Sequence, residues 1–291
     1  MMDFLRRLWG GELRTHEHVV TPPRDDLSPE IVNPRDPEMK LIHVPAGGFW
    51  AGGMHADTVR NPGPNGTFEI PYLSDYYLAE TEVTNAQYAR FLNETQPGAS
   101  DLRRYIYLSH QNHRHVIVEE GGVYVVTEDM DDHPVTCVSW WGAEAYCVWA
   151  DLRLPTELEW EKAARGTDGR RFPWGDEWDP GRSHNFDNHH DQGTTPVFAF
   201  EDGRSPYGLW DMMGNVREWC WDYHHDYAYR RYRKGDIRPR RSGVERVVRG
   251  SDYVKAISED ARHHACSARH GARPNTQNGH LSFRCAMTPP D

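Results

Sequence analysis

The stretch HPVTCVSWWGAEAYCVWADLRLPTELEWEKAARG, residues 133–166, carries the clearest secondary-structure signals in the chain. Ser139 is a good helix N-cap and stands directly before the run WWGAEAYCVWAD. Thr156 predicts the start of a second helix, because Glu159 three residues later completes a capping box. Gly166 predicts the end of that helix. The stretch therefore predicts two short helices in succession.

Upstream of this stretch, the pattern changes from strand to helix. Residues 41–53, LIHVPAGGFWAGG, alternate in polarity and end in glycines, which predicts a strand followed by a tight turn. Residues 76–83, YYLAETEV, predict a strand that leads directly into a helix. Thr84 is the expected N-cap of that helix, and Gln87 completes a second capping box.

Two other regions lack any helical or strand period. Residues 172–207 are rich in Trp, Gly, Asp, Asn and His, which predicts an ordered loop region. Residues 1–37 are charged and rich in proline, which predicts an extended N-terminal arm. The sequence thus divides into an arm over 1–37 and a folded domain over 38–291.

Composition favours one loop-rich domain. The chain has 291 residues, and its 11 Trp, 14 Tyr and 9 Phe supply large apolar surfaces for a core. Its 25 Gly and 20 Pro disfavour long uninterrupted helices. The predicted fold class is therefore α+β, with one compact domain that contains few helices and many loops.

Charge and cysteine usage narrow the choice of partners and compartment. The net charge of −11 makes nucleic acid a poor partner. Neither a secretory signal nor an apolar stretch of membrane-spanning length is evident, so we expect a cytoplasmic protein without membrane insertion. The five cysteines are far apart and form no CxxC pair, which predicts buried thiols and argues against a zinc ribbon or a dense disulfide scaffold.

The motifs occur in a recognisable order along the chain. Residues 133–166 are followed by RRFPWGDEW, GTTPVFAF, YGLWDMMGNVREW, RVVRGSDY and LSFRC. In order and spacing this series resembles the formylglycine-generating enzyme, or sulfatase-modifying-factor, family, and the resemblance extends from about residue 41 to residue 286. It implies a C-type-lectin-like fold with a small twisted antiparallel sheet, a few helices and long loops. Recurrent aromatic and glycine positions such as Trp160, Trp174, Gly175, Trp210 and Trp219 are then expected in the core and at turns.

The resemblance also shows what this chain lacks. In the oxidase members, two cysteines bind copper as thiolates and drive the oxygen-dependent oxidation of a substrate cysteine, because a soft metal needs soft ligands. This chain has Lys255 at the first cysteine position and Asp260 at about the second. Asp252 replaces a serine of the same turn, and Arg217 replaces an aromatic residue. The resemblance therefore implies that sulfatase-type oxidation is lost.

Other positions retain the family pattern. Arg269 matches a site arginine, and Cys147 with Cys285 match a pair that is disulfide-bonded in some relatives. Cys266 falls near the cleft, but Ala164 stands where its usual partner would be.

The same resemblance implies structural calcium. Hard oxygen ligands suit calcium, and the proposed donors of the first site are Asp211, Gly214, Val216 and Glu218. The alternative is that Glu218 is a core-facing acid paired with an arginine. A second site is expected near Asn185 and Phe186, with Asp187, His189 or Asp191 as further ligands.

Two functions fit these residues. In the first, the protein is catalytically silent and uses its C-terminal cleft to bind a protein, a peptide or a small ligand; the cleft residues are Arg217, Asp252, Tyr253, Lys255 and Arg269. In the second, it is a diverged metal-dependent oxidoreductase, since clustered Asp, Lys and His side chains tune one another's pKa values. The catalytic candidates are Asp252, Lys255, Asp260, His264 and Arg269, and the redox metal is not specified. The first function, or a related accessory role, is favoured.

Overall fold

The structure is a computed structural model that describes residues 21–53, 63–108, 116–188, 193–254 and 265–290. Within these ranges the chain forms twelve strands: β1 Glu30–Val32, β2 Lys40–Val44, β3 Gly47–Ala51, β4 Phe68–Leu73, β5 Tyr76–Ala79, β6 Ile117–Glu120, β7 Val123–Val126, β8 Arg217–Tyr223, β9 Arg246–Arg249, β10 Arg269–Ala272, β11 Leu281–Ser282 and β12 Ala286–Met287. The described helices are α1 Asn85–Thr95, α2 Ala99–Tyr105, α3 Trp140–Trp149, α4 Glu157–Arg165 and α5 Ala228–Tyr232. The mixed α+β, loop-rich architecture agrees with the predicted class.

The first sheet has the order β1-β2-β5-β12, and all its pairs are antiparallel. Its edge strand β1 lies within the segment predicted to be an extended arm, and it pairs with β2 from Glu30↔Ile42 to Val32↔Lys40. Asn33 and Asp36, which follow β1, are buried. The described part of this segment therefore packs against the domain.

The second sheet has the order β10-β9-β8-β11 and contains the parallel pair β11–β8 beside two antiparallel pairs. Glu218, Arg249 and Arg269 are lateral neighbours across β8, β9 and β10. Because side chains alternate along a strand, these three lie on one face and Arg217 lies on the other. This arrangement decides which residues can share a site.

The helix boundaries follow the caps that the sequence predicts. The Ser139 hydroxyl accepts a hydrogen bond from the Gly142 N–H at the start of α3. Complete capping boxes are present at Thr84 with Gln87 and at Thr156 with Glu159. Gly166 ends α4 with φ 73°, a backbone conformation that glycine adopts at little cost. These local predictions are confirmed.

The region predicted to be an ordered loop contains only short 3-10 turns, at Pro180–Arg182 and Glu201–Gly203, among its described residues. It is held by aromatic packing, in which the Trp174 ring lies 5.6 Å from Phe172 and 5.7 Å from Trp178. Trp160 and Trp219 are fully buried, as expected, whereas Trp174 and Trp210 are partly buried. None of the helices in the described ranges is both long enough and apolar enough to cross a bilayer.

Candidate functional site

Arg217 and Asp252 form a buried ion pair at the end of the second sheet. Arg217 is the first residue of β8, and Asp252 follows the turn at Gly250 that ends β9. The Arg217 Nε lies 2.9 Å from the Asp252 Oδ2, and the two side chains are 11% and 1% exposed. Burial lowers the pKa of Arg217, and Asp252 opposes that effect. Arg217 and Asp252, which both depart from the oxidase pattern, therefore form an ion pair with each other.

Polar and aromatic groups surround this pair. The Asp252 Oδ1 accepts a hydrogen bond from the Val254 N–H at 3.1 Å, and the His280 Nε2 lies 4.0 Å from the Asp252 Oδ2. The Tyr253 hydroxyl donates to the Gly279 carbonyl, and its ring lies 5.6 Å from the ring of His184. The structure therefore brings Arg217, Asp252 and Tyr253 together. Lys255, Asp260 and His264 lie outside the described residues.

Arg269 lies apart from that group, on the opposite face of the sheet. Its guanidinium donates to both carboxylate oxygens of Glu157, at 2.5 and 2.8 Å, and to the His225 carbonyl at 2.7 Å. The Arg269 and Glu157 side chains are only 11% and 1% exposed. Although burial acts to raise the pKa of Glu157, the charge and hydrogen bonds of Arg269 lower it to about 2. Arg269 is thus engaged by a helix carboxylate.

A second buried ion pair lies beside that of Arg269. Glu161, one turn after Glu157 on α4, contacts Arg249 at 2.5 Å and Arg165 at 2.8 Å. Tyr229 and Tyr232 donate hydroxyl hydrogen bonds to Glu161 and Glu157 respectively. The sequence interpretation missed these two acids. Their spacing of four residues on an amphipathic helix was the available signal, because it places both on one face.

The two carboxylates of the predicted calcium loop differ in their contacts. Asp211 is buried with φ 53°, and neither of its oxygens accepts a well-aligned hydrogen bond. Burial raises the pKa of Asp211 to about 7, and Arg284 counteracts this. Glu218 instead accepts hydrogen bonds from Arg284 on both oxygens, each at 2.8 Å, and from the Trp160 Nε1 at 2.8 Å. This is the ion pair that the sequence left as an alternative to calcium coordination.

Backbone packing fixes the rest of that loop. Gly214 has φ 95°, and a Cβ there would lie 2.3 Å from the His184 carbonyl oxygen, so a side chain cannot be accommodated. The Asn215 N–H donates to the same carbonyl at 2.8 Å. Val216 is buried and directly precedes β8.

The second predicted calcium position, near Asn185 and Phe186, contains one buried residue and one exposed residue. Asn185 is buried, and its side-chain oxygen accepts the Asp187 N–H at 3.0 Å. Phe186 is 44% exposed. His189 and Asp191 lie outside the described residues. No group of three or more His, Cys, Asp or Glu side chains in the described ranges is arranged to hold a metal ion.

All five cysteines of the chain lie within the described ranges, and all are buried: Cys137, Cys147, Cys220, Cys266 and Cys285. Burial raises the pKa of the Cys266 thiol to about 12 and that of Cys220 well above its usual value. The Cys147 and Cys285 sulfurs lie 3.4 Å apart as thiols. An exposed thiolate, the form that binds soft metals and reacts, is therefore not provided by any cysteine.

This burial predicts thiol reactivity directly. We expect the native protein to react with none of its five thiols on the timescale of a disulfide-exchange reagent, because attack requires an accessible thiolate. In denaturant all five should react. The measurement is the absorbance of released reporter thiol, and a fast-reacting native cysteine would contradict the buried assignment.

The chain is similar in sequence to a known protein family and to several of its members. The family model described as "Sulfatase-modifying factor enzyme 1-like domain" matches residues 28–289. A formylglycine-generating enzyme from Thermomonospora curvata is 32% identical, with 88% of this chain and 96% of that protein covered. From Bos taurus, a protein named inactive C-alpha-formylglycine-generating enzyme 2 is 37% identical over 53% of this chain and 50% of its own.

Two further similarities are to a longer protein and to a more distant solved structure. A protein named serine/threonine-protein kinase Pkn1 from Chlamydia trachomatis is 33% identical over 90% of this chain, but the match spans only 40% of that protein. The solved structure of PvdO from Pseudomonas aeruginosa shares the fold with a TM-score of 0.64 at 20% identity, covering 92% of this chain and 99% of PvdO. The family match, the identity to formylglycine-generating enzymes and the shared fold together show that this chain belongs to the sulfatase-modifying factor enzyme 1-like family.

Proposed function

We propose that this chain is a ligand- or protein-binding, accessory member of its family and not a formylglycine-generating oxidase. The observation that carries the proposal is the buried ion pair between Arg217 and Asp252. It occupies two positions at which the oxidase pattern has an aromatic residue and a serine. A guanidinium and a carboxylate offer charge and hydrogen bonds to a ligand, but they supply no soft ligand for copper.

The distribution of cysteines supports the loss of oxidase chemistry. The sequence has Lys255 and Asp260 where the thiolate ligands of the oxidases are expected. The remaining thiols are buried, and Cys266 near the cleft has a raised pKa. A bovine relative whose name describes it as inactive shows that inactive proteins occur among the relatives.

Arg217 also indicates what kind of ligand the cleft would take. Its contact with Asp252 is ionic and poorly aligned as a hydrogen bond, and its buried Nη2 has no hydrogen-bond partner among the described residues. The Arg217 side chain is nevertheless 11% exposed, so a ligand acceptor that reaches the guanidinium would gain a charge-assisted hydrogen bond. We infer a peptide segment, protein surface or small molecule that presents a carbonyl or carboxylate oxygen to Arg217. The net charge of −11 disfavours nucleic acid.

Structural calcium is part of the proposal. Asp211 fits a hard cation, because a buried carboxylate without a well-aligned hydrogen bond is stabilised by one. The carbonyls of Gly214 and Val216 would complete the loop as oxygen donors. Glu218 would contribute through the lone pairs that its contacts with Arg284 and Trp160 leave open. Calcium would supply no chemistry here beyond holding the loop that precedes β8 and Arg217.

The alternative, a diverged metal-dependent oxidoreductase, has less support. Of its candidate residues that the structure describes, Arg269 is paired with Glu157 and Asp252 is paired with Arg217. No observation on the described residues favours a redox metal. The cytoplasmic location remains a prediction from the sequence.

Elemental analysis of natively purified protein distinguishes the two functions. We expect near-stoichiometric calcium that a chelator removes with a fall in melting temperature, because a cation that binds only the folded state stabilises it. In the variant Asp211→Asn, calcium should be lost and the chelator should have no further effect. Tightly held iron or copper would overturn the proposal and favour the oxidoreductase.

A further inference from the structure

A groove of about 490 Å³ lies between the start of β2, the segment that joins β5 to α1, and the start of α1. Its charged lining residues are five acids and one base: Glu38, Glu80, Glu82, Asp131, Asp132 and Lys40. Lys40 is already shared between Glu80 at 3.8 Å and Glu30 at 3.5 Å. The lining therefore carries an excess of negative charge, which favours a cationic occupant.

Glu82 gives this groove an unsatisfied acceptor. It is 1% exposed, and neither of its carboxylate oxygens accepts a well-aligned hydrogen bond from another residue. Its contact with Arg284 is long, at 3.7 Å, and Arg284 is also bound by Glu218. Because a buried carboxylate without hydrogen bonds is costly, Glu82 is the lining group that would gain most from a nearby cation.

The start of α1 does not turn the groove into an anion site. Helix N-termini bind anions through free N–H groups, but these donors are used here. The Asn85 and Ala86 N–H groups donate to the carbonyls of His133 and Asp131, and the Gln87 N–H donates to the Thr84 hydroxyl. These three N–H groups are therefore not available to an anion in the groove.

Phe198 adds an exposed aromatic face at the same groove. Its side chain is 52% exposed, and its φ of 69° is rare for a residue with a side chain. The ring packs edge-to-face against Trp210 at 5.2 Å, and Arg204 lies 5.2 Å over the Trp210 ring. An exposed ring held in an unfavourable backbone conformation beside carboxylates is suited to stacking on a planar cation.

We propose that this groove binds an arginine side chain of a partner polypeptide, with the carboxylates pairing with the guanidinium and Phe198 stacking on it. Arginine fits better than lysine, because its planar group can stack on a ring and form paired hydrogen bonds with a carboxylate at the same time. The groove lining contains neither Arg217 nor Asp252, so the peptide test does not depend on the ligand proposed for that cleft.

The test uses isothermal titration calorimetry of the full chain with a neutral-capped Gly-Arg-Gly peptide, and with its citrulline analogue, which has a similar shape but no charge. The arginine peptide should bind and the citrulline peptide should not. The double variant Asp131→Asn, Asp132→Asn should weaken binding about tenfold or more. Phe198→Asn, which keeps a residue tolerant of positive φ, should weaken it about fivefold.

A matched control removes the same charge elsewhere. Glu119 and Glu120 are paired with β7 residues and are absent from the groove lining. The double variant Glu119→Gln, Glu120→Gln should bind the arginine peptide as the parent does, and circular dichroism should confirm that all variants fold. Equal binding of the two peptides, no detectable binding of either, or equal losses in the groove and control variants would overturn the proposal.

Discussion

Replacing Arg284 with methionine is expected to lower the free energy of unfolding by about 3–5 kcal/mol, the range for breaking a buried ion pair from one side. Arg284 is fully buried and donates to both oxygens of Glu218. It also donates to the carbonyls of Ala79 and Trp210. Without it, the buried carboxylates of Glu218, Glu82 and Asp211 would all lose the positive charge of Arg284.

Urea unfolding followed by tryptophan fluorescence measures this loss. The matched control is Arg35→Met, which removes an exposed arginine paired with Asp151 at 3.2 Å, and it should cost about 0–1 kcal/mol. Adding Glu218→Gln to Arg284→Met should recover part of the loss, because one uncompensated charge is removed. A loss below about 1 kcal/mol in the single variant would show that Arg284 does not neutralise these acids.

Replacing Arg269 with methionine is expected to cost a comparable amount, about 3–5 kcal/mol, because it leaves Glu157 buried without its cation. The loss should depend on pH. The pKa of Glu157 is lowered from its ordinary 4.5 to about 2, so its ionised form stabilises the native state above the unfolded pKa. This contribution is lost as the pH falls from about 4.5 toward about 2.

The pH profile separates this ion pair from general loss of packing. Parent and Arg269→Met should differ most near neutral pH, and their stabilities should converge only as the pH falls to about 2, where Glu157 of the parent is protonated. The double variant with Glu157→Gln should be more stable than Arg269→Met alone. If Arg269→Met is as stable as the parent at every pH, Arg269 is not structural and a role in ligand binding becomes the better explanation.

Local features of this fold could be predicted from the sequence, because their causes lie within a few residues. Ser139, Thr84 with Gln87, and Thr156 with Glu159 cap their helices as predicted, since a capping side chain needs only the next three N–H groups. Composition likewise predicts the loop-rich course seen in the described part of residues 172–207.

The pairing of side chains across the fold could not be predicted in this way. Arg217 and Asp252 were each identified as departures from the oxidase pattern, but their contact depends on the antiparallel pairing of β8 and β9. The same register places Arg269 on the other face, away from a cleft to which the sequence assigned it. Glu82 could not be identified from the sequence, because what distinguishes it is that its carboxylate is buried without a well-aligned hydrogen bond.

The measurement that tests the central claim most directly is a mass-spectrometric assay for oxidation of a cysteine-containing sulfatase peptide. The full chain would be incubated with the peptide, copper, oxygen and a thiol that supplies the two further electrons needed to reduce oxygen to water, beside the formylglycine-generating enzyme from Thermomonospora curvata as a positive control. We predict that the peptide cysteine remains unchanged with this chain and is converted to the aldehyde by the control. Copper-dependent formation of formylglycine by this chain would contradict the account, because it would require oxidase chemistry without an accessible cysteine pair.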